Sequence, residues 1–267
     1  MNRLILACTA CLITSATAGV FAQDKASTQN QVQVDTPSKK SVYFFKSQVA
    51  NNRSIGNALS SLLSRYPEQT VDFVSVAFTA YPEHYEEIIQ AAVSTNPNFV
   101  DEIIMVANSY QVGNPTEIVE IAINAEPSYA DDATRAACKY SPKYFNEIVK
   151  TAVSTEPDSA DQIAQRLVRA YPNKTMEILV TTIKEVPFVG KYVLDALLAT
   201  VTDDDEKSND MIIISVEQLA QHPDAIERLV QLAQEHEISA ADVKASALRG
   251  GLEEEQIVAI IDRHYQQ

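Results

Sequence analysis

The sequence has little cysteine and little glycine, and it has far fewer basic than acidic residues. Three cysteines in 267 residues are too few for a disulfide-stapled domain. Six glycines and eleven prolines are too few for collagen or a low-complexity linker protein. A net charge of −15 argues against binding nucleic acid through its phosphates and against adhesion to anionic lipid. With 46% hydrophobic and 21% charged residues, the composition is that of a globular protein with a sizeable core.

The first residues have the pattern of a secretory signal peptide. In residues 1–22, Arg3 precedes an apolar run that ends in a cleavage site after Ala22. The run is about half a membrane span long, so we expect cleavage rather than a retained anchor, and a lipoprotein signal at Cys8 is the alternative. The mature chain, with Cys138 as its one cysteine and no membrane span, fits an exported bacterial protein, periplasmic or secreted.

The next residues, 23–51, begin with a polar stretch over residues 23–42 that lacks a periodic apolar face. We expect a mostly disordered tether there. Residues 43–51 fit either a short strand or a leading helical turn, and the sequence does not distinguish the two.

The strongest pattern is an internal repeat of fifteen residues. Eight prolines share one register, with one double gap in which Val112 takes the expected position; they lie at 67, 82, 97, 127, 142, 157, 172 and 187. The sixth, seventh, tenth and eleventh residues after each proline are mostly Ile, Val, Leu or Ala. This spacing predicts one face of an α-helix, whereas a strand would need a period of two.

Each unit therefore predicts one helix of about ten or eleven residues, with proline in its first position, where the missing N–H costs nothing. Short turns favour antiparallel neighbours, so ten units over residues 52–201 predict five helical hairpins that must stack to bury their apolar faces. This arrangement resembles the α-solenoid class of helical-repeat proteins, without indicating a particular family. The resemblance implies an all-α array whose extended surface binds proteins or peptides.

The end of the chain departs from the repeat. Residues 202–210 are acidic and predict a solvated linker. A calcium loop is the alternative, but Lys207 occupies a ligand position and no glycine follows it. Residues 211–267 predict further helices, which form either a small C-terminal helical module or a degenerate cap of the array.

Candidate sites for chemistry are scarce in the sequence. It contains no GxSxG, P-loop, GxGxxG or HExxH motif. The histidines have no zinc-site spacing, and Cys138 falls in an apolar position of the repeat, where a buried thiol is expected. We therefore expect a non-enzymatic protein with no catalytic residues, cofactor or metal.

Acidic residues recur in the fifth position of alternate units. Thirty residues apart, they should line one edge of the stacked hairpins; they are Glu87, Glu117, Glu147 and Glu177. This glutamate column either forms hydrogen bonds between repeats or binds a cationic segment. Tyrosines near the turns recur as well, and the candidate partner contacts among them are Tyr66, Tyr81 and Tyr171. Packing between units is the alternative role of these tyrosines.

These observations predict an exported, non-enzymatic scaffold or adaptor that binds a protein or peptide, with a basic segment as the favoured partner. A structural envelope protein that assembles with itself through its end repeats is the second possibility. A small-ligand binder or enzyme with a site in a groove of the array is the third.

Overall fold

The computed structural model describes residues 36–52, 54–200 and 205–265. The predicted signal peptide and residues 23–35 of the predicted tether lie outside these residues. Within them the chain forms α-helices and short 3₁₀ turns but no β-strand, so the predicted all-α fold is confirmed. The helices are α1 (Lys39–Asn52), α2 (Ile55–Arg65), α3 (Thr70–Ala80), α4 (Tyr85–Thr95), α5 (Val100–Ser109), α6 (Pro115–Ala125), α7 (Ala130–Tyr140), α8 (Phe145–Thr155), α9 (Ala160–Ala170), α10 (Thr175–Glu185), α11 (Gly190–Leu198), α12 (Asp205–Gln218), α13 (Pro223–Glu235), α14 (Ala240–Arg249) and α15 (Glu254–Tyr265).

The fifteen-residue period arises from a helix of usually eleven residues followed by a four-residue turn. In this turn the residue before proline donates its N–H to the carbonyl four residues earlier, as Tyr81 does to Ala77 at 2.9 Å. The carbonyl of Tyr81 accepts from the N–H of His84 at 3.1 Å, which closes a 3₁₀ turn over Pro82–His84. Proline fits because it needs no N–H partner there and disfavours helical geometry in the preceding residue. Each proline thus opens the 3₁₀ turn, and the α-helix begins three residues later than predicted.

The unit that lacks a proline in register has a different turn. Val112 is only 7% exposed, and its N–H donates to the carbonyl of Ala107 at 3.3 Å. Gln111 and Gly113 take positive φ angles of 53° and 65°. Asn114 then caps the first turn of α6. Two residues in the left-handed region and the Asn114 cap therefore replace the proline turn here, and the fifteen-residue spacing of the helices is kept.

The helices pack in two layers, one of odd-numbered and one of even-numbered helices. Within a layer each helix packs against the one two positions away, such as α3 on α5 and α4 on α6, and consecutive helices pack across the layers. Because consecutive helices are joined by short turns, they run antiparallel. The apolar face of each helix is buried between the layers, as in α4, where Ile88, Ile89, Ala92 and Val93 are fully buried. The predicted array of hairpins is thus confirmed.

The predicted tether, residues 23–51, is wrong in its last part. Residues 39–52 form α1, which packs against α2 and α3. Phe45 is fully buried, and Val42 and Val49 pack against the same core. These three apolar residues share one helical face, but the lysines and serines around them make the segment polar on average. The open question over residues 43–51 is resolved as helix.

The predicted acidic linker, residues 202–210, is helical from residue 205 on. Asp205 and Glu206 lie in the first turn of α12, where negative charge is favourable at the positive end of the helix dipole. Ser208 in the same segment is buried. The later helices continue both layers, since α12 packs on α10 and α13 packs on α11. Of the two possibilities for residues 211–267, the structure therefore has a continuation of the array.

Candidate functional site

The glutamate column lies in the first turns of α4, α6, α8 and α10. These helices are neighbours in the even layer and run parallel to one another. The four side chains therefore follow one edge of that layer, as the spacing predicts. Their contacts, however, differ from one member to the next.

Two members of the glutamate column make contacts within the array. Glu87 Oε1 accepts a hydrogen bond of 2.7 Å from the backbone N–H of Gly56 in the first turn of α2. Glu117 accepts from the backbone N–H of Asn114 at 3.1 Å and so completes a capping box at the start of α6. Its carboxylate also accepts from the hydroxyl of Tyr85 in α4 at 3.1 Å. Burial, and then Glu117, raise the pKa of Tyr85.

The other two members differ in exposure, since Glu147 is exposed and Glu177 is half-buried. Glu177 pairs with Lys174 in the preceding turn, with 2.8 Å between Oε2 and Nζ. The hydrogen bond from Lys174 lowers the pKa of Glu177. Glu147 is exposed and has no hydrogen bond or ion pair to any described residue. The column is thus partly an element of helix capping and partly free carboxylate.

The three candidate tyrosines contact neighbouring aromatic rings. Tyr66 lies against Phe73 with ring centroids 6.3 Å apart, although 45% of Tyr66 is exposed. Tyr81 packs edge-on against Phe45 of α1 at 6.3 Å. Tyr171 packs edge-on against Phe145 at 5.3 Å, and burial raises the pKa of its hydroxyl. These contacts favour packing between units as the main role of Tyr81 and Tyr171.

An ion-pair network in the odd layer was not predicted from the sequence. Asp101 in α5 pairs with Arg135 in α7 at 3.0 Å and accepts a hydrogen bond of 2.7 Å from the Tyr140 hydroxyl. Lys139 donates to the same hydroxyl at 2.8 Å. Burial acts to raise the pKa of Asp101, but the hydrogen bonds from Tyr140 and Lys139 and the charges of Lys139 and Arg135 outweigh it and lower that pKa.

The same network continues to the next odd helix. Arg166 in α9 forms ion pairs with Asp131 and Asp132 in α7. The pairs Asp101 with Arg135 and Asp132 with Arg166 are both separated by 34 residues. This separation equals two repeats plus one helical turn, so a search for opposite charges at that interval could have found the network.

A second unpredicted feature is an uninterrupted acidic stretch. No lysine or arginine occurs between Arg65 and Arg135, although twelve aspartates and glutamates lie there. We call α3, α4, α5 and α6 with their turns the acidic segment. The exposed carboxylates of this segment are Glu68, Asp72, Glu83, Glu86, Glu117 and Glu120. Of these, Glu83, Glu86, Glu117 and Glu120 belong to the adjacent helices α4 and α6 of the even layer and to the turn before α4.

The described residues contain little that is suited to covalent or metal chemistry. Cys138 is buried as predicted, and burial raises the pKa of its thiol to about 12. Among the described residues no three His, Cys, Asp or Glu side chains are grouped as metal ligands. None of the described helices has the length and apolar character needed to cross a bilayer.

A cavity lies at the C-terminal end of the array. It has a volume of about 520 Å³ and lies between α13 and α15. Its lining is mainly apolar and includes Ile226, Leu252, Ala259 and Ile260. An ion pair of 2.7 Å between Glu227 and Arg263 borders it.

Comparisons with known proteins do not add to this description. No family model matches the sequence, and no curated protein or solved structure is significantly similar to the chain.

Proposed function

We propose that this protein is a non-enzymatic helical-repeat scaffold that is exported and binds a basic segment of a protein partner along its acidic segment. The observation that carries the proposal is the absence of lysine and arginine from four successive helices that expose several carboxylates. Asp101 of this segment is paired with Arg135, but the exposed carboxylates of α4 and α6 form no ion pair with a described lysine or arginine, so their negative field reaches the solvent. Such a field attracts a cationic partner and speeds its association.

The architecture supports a macromolecular partner. Helices of one layer present a repeated edge, so a peptide can make similar contacts on successive units. Exposed carboxylates recur on this edge at Glu86 in α4 and Glu117 in α6, which pack side by side. A basic segment with charges spaced along its length fits this pattern better than a compact small molecule does.

The structure also changes which residues we assign to the binding surface. The carboxylate of Glu87 already accepts a hydrogen bond from the backbone of Gly56, and the carboxylate of Glu177 is paired with Lys174. Glu147 is free, but Lys143 and Lys150 lie nearby in the sequence and dilute its charge. The principal contacts are therefore Glu83, Glu86 and Glu120, in place of the evenly spaced glutamate column.

Export is the second part of the proposal, and residues 1–22 support it by their signal-peptide pattern. The chemistry of the remaining chain is compatible with an oxidising compartment, because Cys138 is buried and its thiol pKa is raised to about 12. A buried neutral thiol reacts slowly with oxidants and disulfides.

Binding can be tested with a defined probe. A fluorescent peptide of alternating lysine and glycine is titrated with the full chain and followed by anisotropy. Each exposed ion pair contributes up to about 1 kcal/mol, so the triple reversal Glu83→Lys, Glu86→Lys and Glu120→Lys should weaken binding about tenfold or more.

The matched control reverses three exposed carboxylates elsewhere, by the substitutions Glu147→Lys, Asp158→Lys and Asp210→Lys. Both triple variants change the net charge of the chain by the same amount. Equal weakening in the two variants would mean that the peptide responds only to net charge, and the proposed site would be wrong.

A further inference from the structure

The first helix of the array exposes two large aromatic side chains. Tyr43 is 78% exposed and Phe44 is 46% exposed, whereas the adjacent Phe45 is fully buried. Tyr43 and Phe44 lie on the outward face of α1, on the same side of the helix as the exposed Lys40 and the half-buried Ser47. Terminal units of helical-repeat arrays usually have a polar outer face that keeps the protein soluble. An exposed aromatic pair at this position therefore indicates a contact surface.

The charge of α1 is also unusual for this protein. The helix contains Lys39, Lys40 and Lys46 and no acidic residue. The chain as a whole has 36 acidic and 21 basic residues. The aromatic pair is thus accompanied by positive charge in an otherwise acidic molecule.

The last helices present the complementary combination. The apolar cavity between α13 and α15 holds about 520 Å³ and is open to the surface. Next to it, Glu253, Glu254 and Glu255 are exposed at the start of α15. A second, shallower cavity of about 620 Å³ follows these three glutamates. Apolar surface and negative charge therefore occur side by side at this end.

We propose that copies of this chain associate head to tail, with Tyr43 and Phe44 of one copy seated in the cavity between α13 and α15 of the next. Lys39 and Lys40 then lie near Glu253 and Glu255 of that next copy. Charge complementarity selects the orientation, and burial of the aromatic rings supplies most of the affinity.

A second copy is the occupant that fits best because both halves of the contact are present on one chain. Six helix-to-helix steps in the odd layer separate α1 from α13. At 8–10 Å per step this is about 50 Å, so one copy does not fill its own cavity. The acidic segment offers negative charge to the lysines of α1, whereas the end with α13 and α15 offers an apolar lining for its aromatic rings as well. The proposed contact uses none of the helices α3 to α6, so it does not depend on the proposed binding of a basic partner by the acidic segment.

A head-to-tail contact has a consequence that a two-fold dimer lacks. Each copy keeps one free head and one free tail, so association continues beyond two copies into chains or rings. Sedimentation velocity of the full chain over a range of concentrations should therefore show a mass that rises past that of a dimer. The double variant Tyr43→Ser, Phe44→Ser should shift the midpoint of association at least tenfold to higher concentration.

The matched control removes an equally exposed aromatic pair elsewhere. Phe188 is 66% exposed and Tyr192 is 56% exposed, both near the start of α11. The variant Phe188→Ser, Tyr192→Ser should associate as the unmodified chain does. Circular dichroism of both variants checks that they fold, which we expect because all four side chains are exposed.

A charge exchange tests the orientation of the contact. One double variant carries Lys39→Glu and Lys40→Glu, and the other carries Glu253→Lys and Glu255→Lys. Each double variant should associate only weakly with itself. An equimolar mixture of the two should recover association, because the reversed head of one copy then meets the reversed tail of the other. Recovery in the mixture is not expected from a general change in net charge.

A photoreactive amino acid at position 43 identifies the occupied surface. The proposal expects cross-links from position 43 to α13 or α15 of another copy. A monomer at all concentrations, or a species that stops at two copies with position 43 linked to itself, would overturn it. Cross-links to the acidic segment, or to residues 1–35 of the same copy, would also overturn it.

Discussion

Glu87 in α4 accepts a hydrogen bond of 2.7 Å from the backbone N–H of Gly56 in α2. N–H groups in the first turn of a helix have no hydrogen-bond acceptor within that helix. Glu87 therefore provides an acceptor for Gly56 from the next helix of the layer. Glu147 occupies the same position of the repeat in α8 and accepts no hydrogen bond from a described residue. The same residue type in the same register therefore serves structure at one end of the array and faces solvent further along.

This difference predicts unequal effects of two otherwise identical substitutions. Glu87→Ala should lower the free energy of unfolding by about 1–2 kcal/mol, because the N–H of Gly56 loses its charged acceptor. Glu147→Ala should change it by less than about 0.5 kcal/mol. Urea denaturation followed by circular dichroism measures both. Equal shifts of the two midpoints would contradict the assigned contact.

Restoring the sequence repeat at the irregular turn should destabilise the protein. Val112→Pro places proline in the register of the other units but removes the N–H that donates to Ala107. The ring also replaces a buried valine side chain. We expect a loss of about 1–3 kcal/mol. An unchanged or raised midpoint in thermal denaturation would show that the other units, and not the local turn, determine this connection.

The continuity of the last helices with the array depends on a close approach at Gly250. A Cβ added there would overlap the carbonyl oxygen of Glu217 and lie 2.5 Å from the Cβ of Ala220. Gly250→Ala should therefore separate α14 from α12 and cost about 1–3 kcal/mol. Hydrogen exchange should speed up in α12 to α15 and remain unchanged in α2 to α8, because repeat arrays unfold locally.

The control for this substitution is Leu248→Ala, which removes a partly exposed side chain from the same helix. It should leave exchange in α12 nearly unchanged. Uniform acceleration across all helices in the Gly250→Ala variant would contradict the close packing of α14 on α12.

The ion-pair network of the odd layer predicts a specific dependence of stability on pH. The pKa of Asp101 is lowered in the folded chain. Its contribution to stability is therefore complete above the unfolded-state value of about 3.9 and is lost as the pH falls through the folded value. Asp101→Asn should lower the free energy of unfolding at pH 7 by about 1–3 kcal/mol, and the difference from the unmodified chain should shrink below about pH 4.

Urea denaturation at several pH values between 3 and 8 measures this difference. Asp158→Asn, which changes an exposed carboxylate in a turn, is the control and should give a small difference at every pH. A constant difference between the Asp101→Asn variant and the unmodified chain down to pH 3 would mean that the charge of Asp101 does not stabilise the fold.

The regular part of the fold could be predicted because its signals are local. The prolines and the apolar residues such as Ile88 and Ala92 lie within one unit, and a period of fifteen leaves little choice of secondary structure. The helix α1 escaped prediction because Val42, Phe45 and Val49 form a narrow apolar face in a segment that is polar on average. The start of α12 escaped prediction because acidic residues such as Asp205 and Glu206 are typical both of a solvated linker and of the first turn of a helix.

The interaction surfaces were harder to predict, since they depend on which helices become neighbours. Whether Glu87 is free or bound depends on the position of Gly56 in another unit. The pairing of Asp101 with Tyr140 likewise requires knowledge of the odd layer. The acidic segment, by contrast, is visible in the sequence as an absence of basic residues, although a summary of charge over residues 52–201 conceals it.

The central claim is that the acidic segment is the binding surface for a basic partner. Hydrogen–deuterium exchange of the full chain with and without a saturating lysine-rich peptide tests it directly. The account predicts slower exchange in the turns and first helical turns of α4 and α6, and no change in α8 or α10. Slower exchange confined to α8 and α10, or binding without slower exchange in α4 and α6, would contradict it.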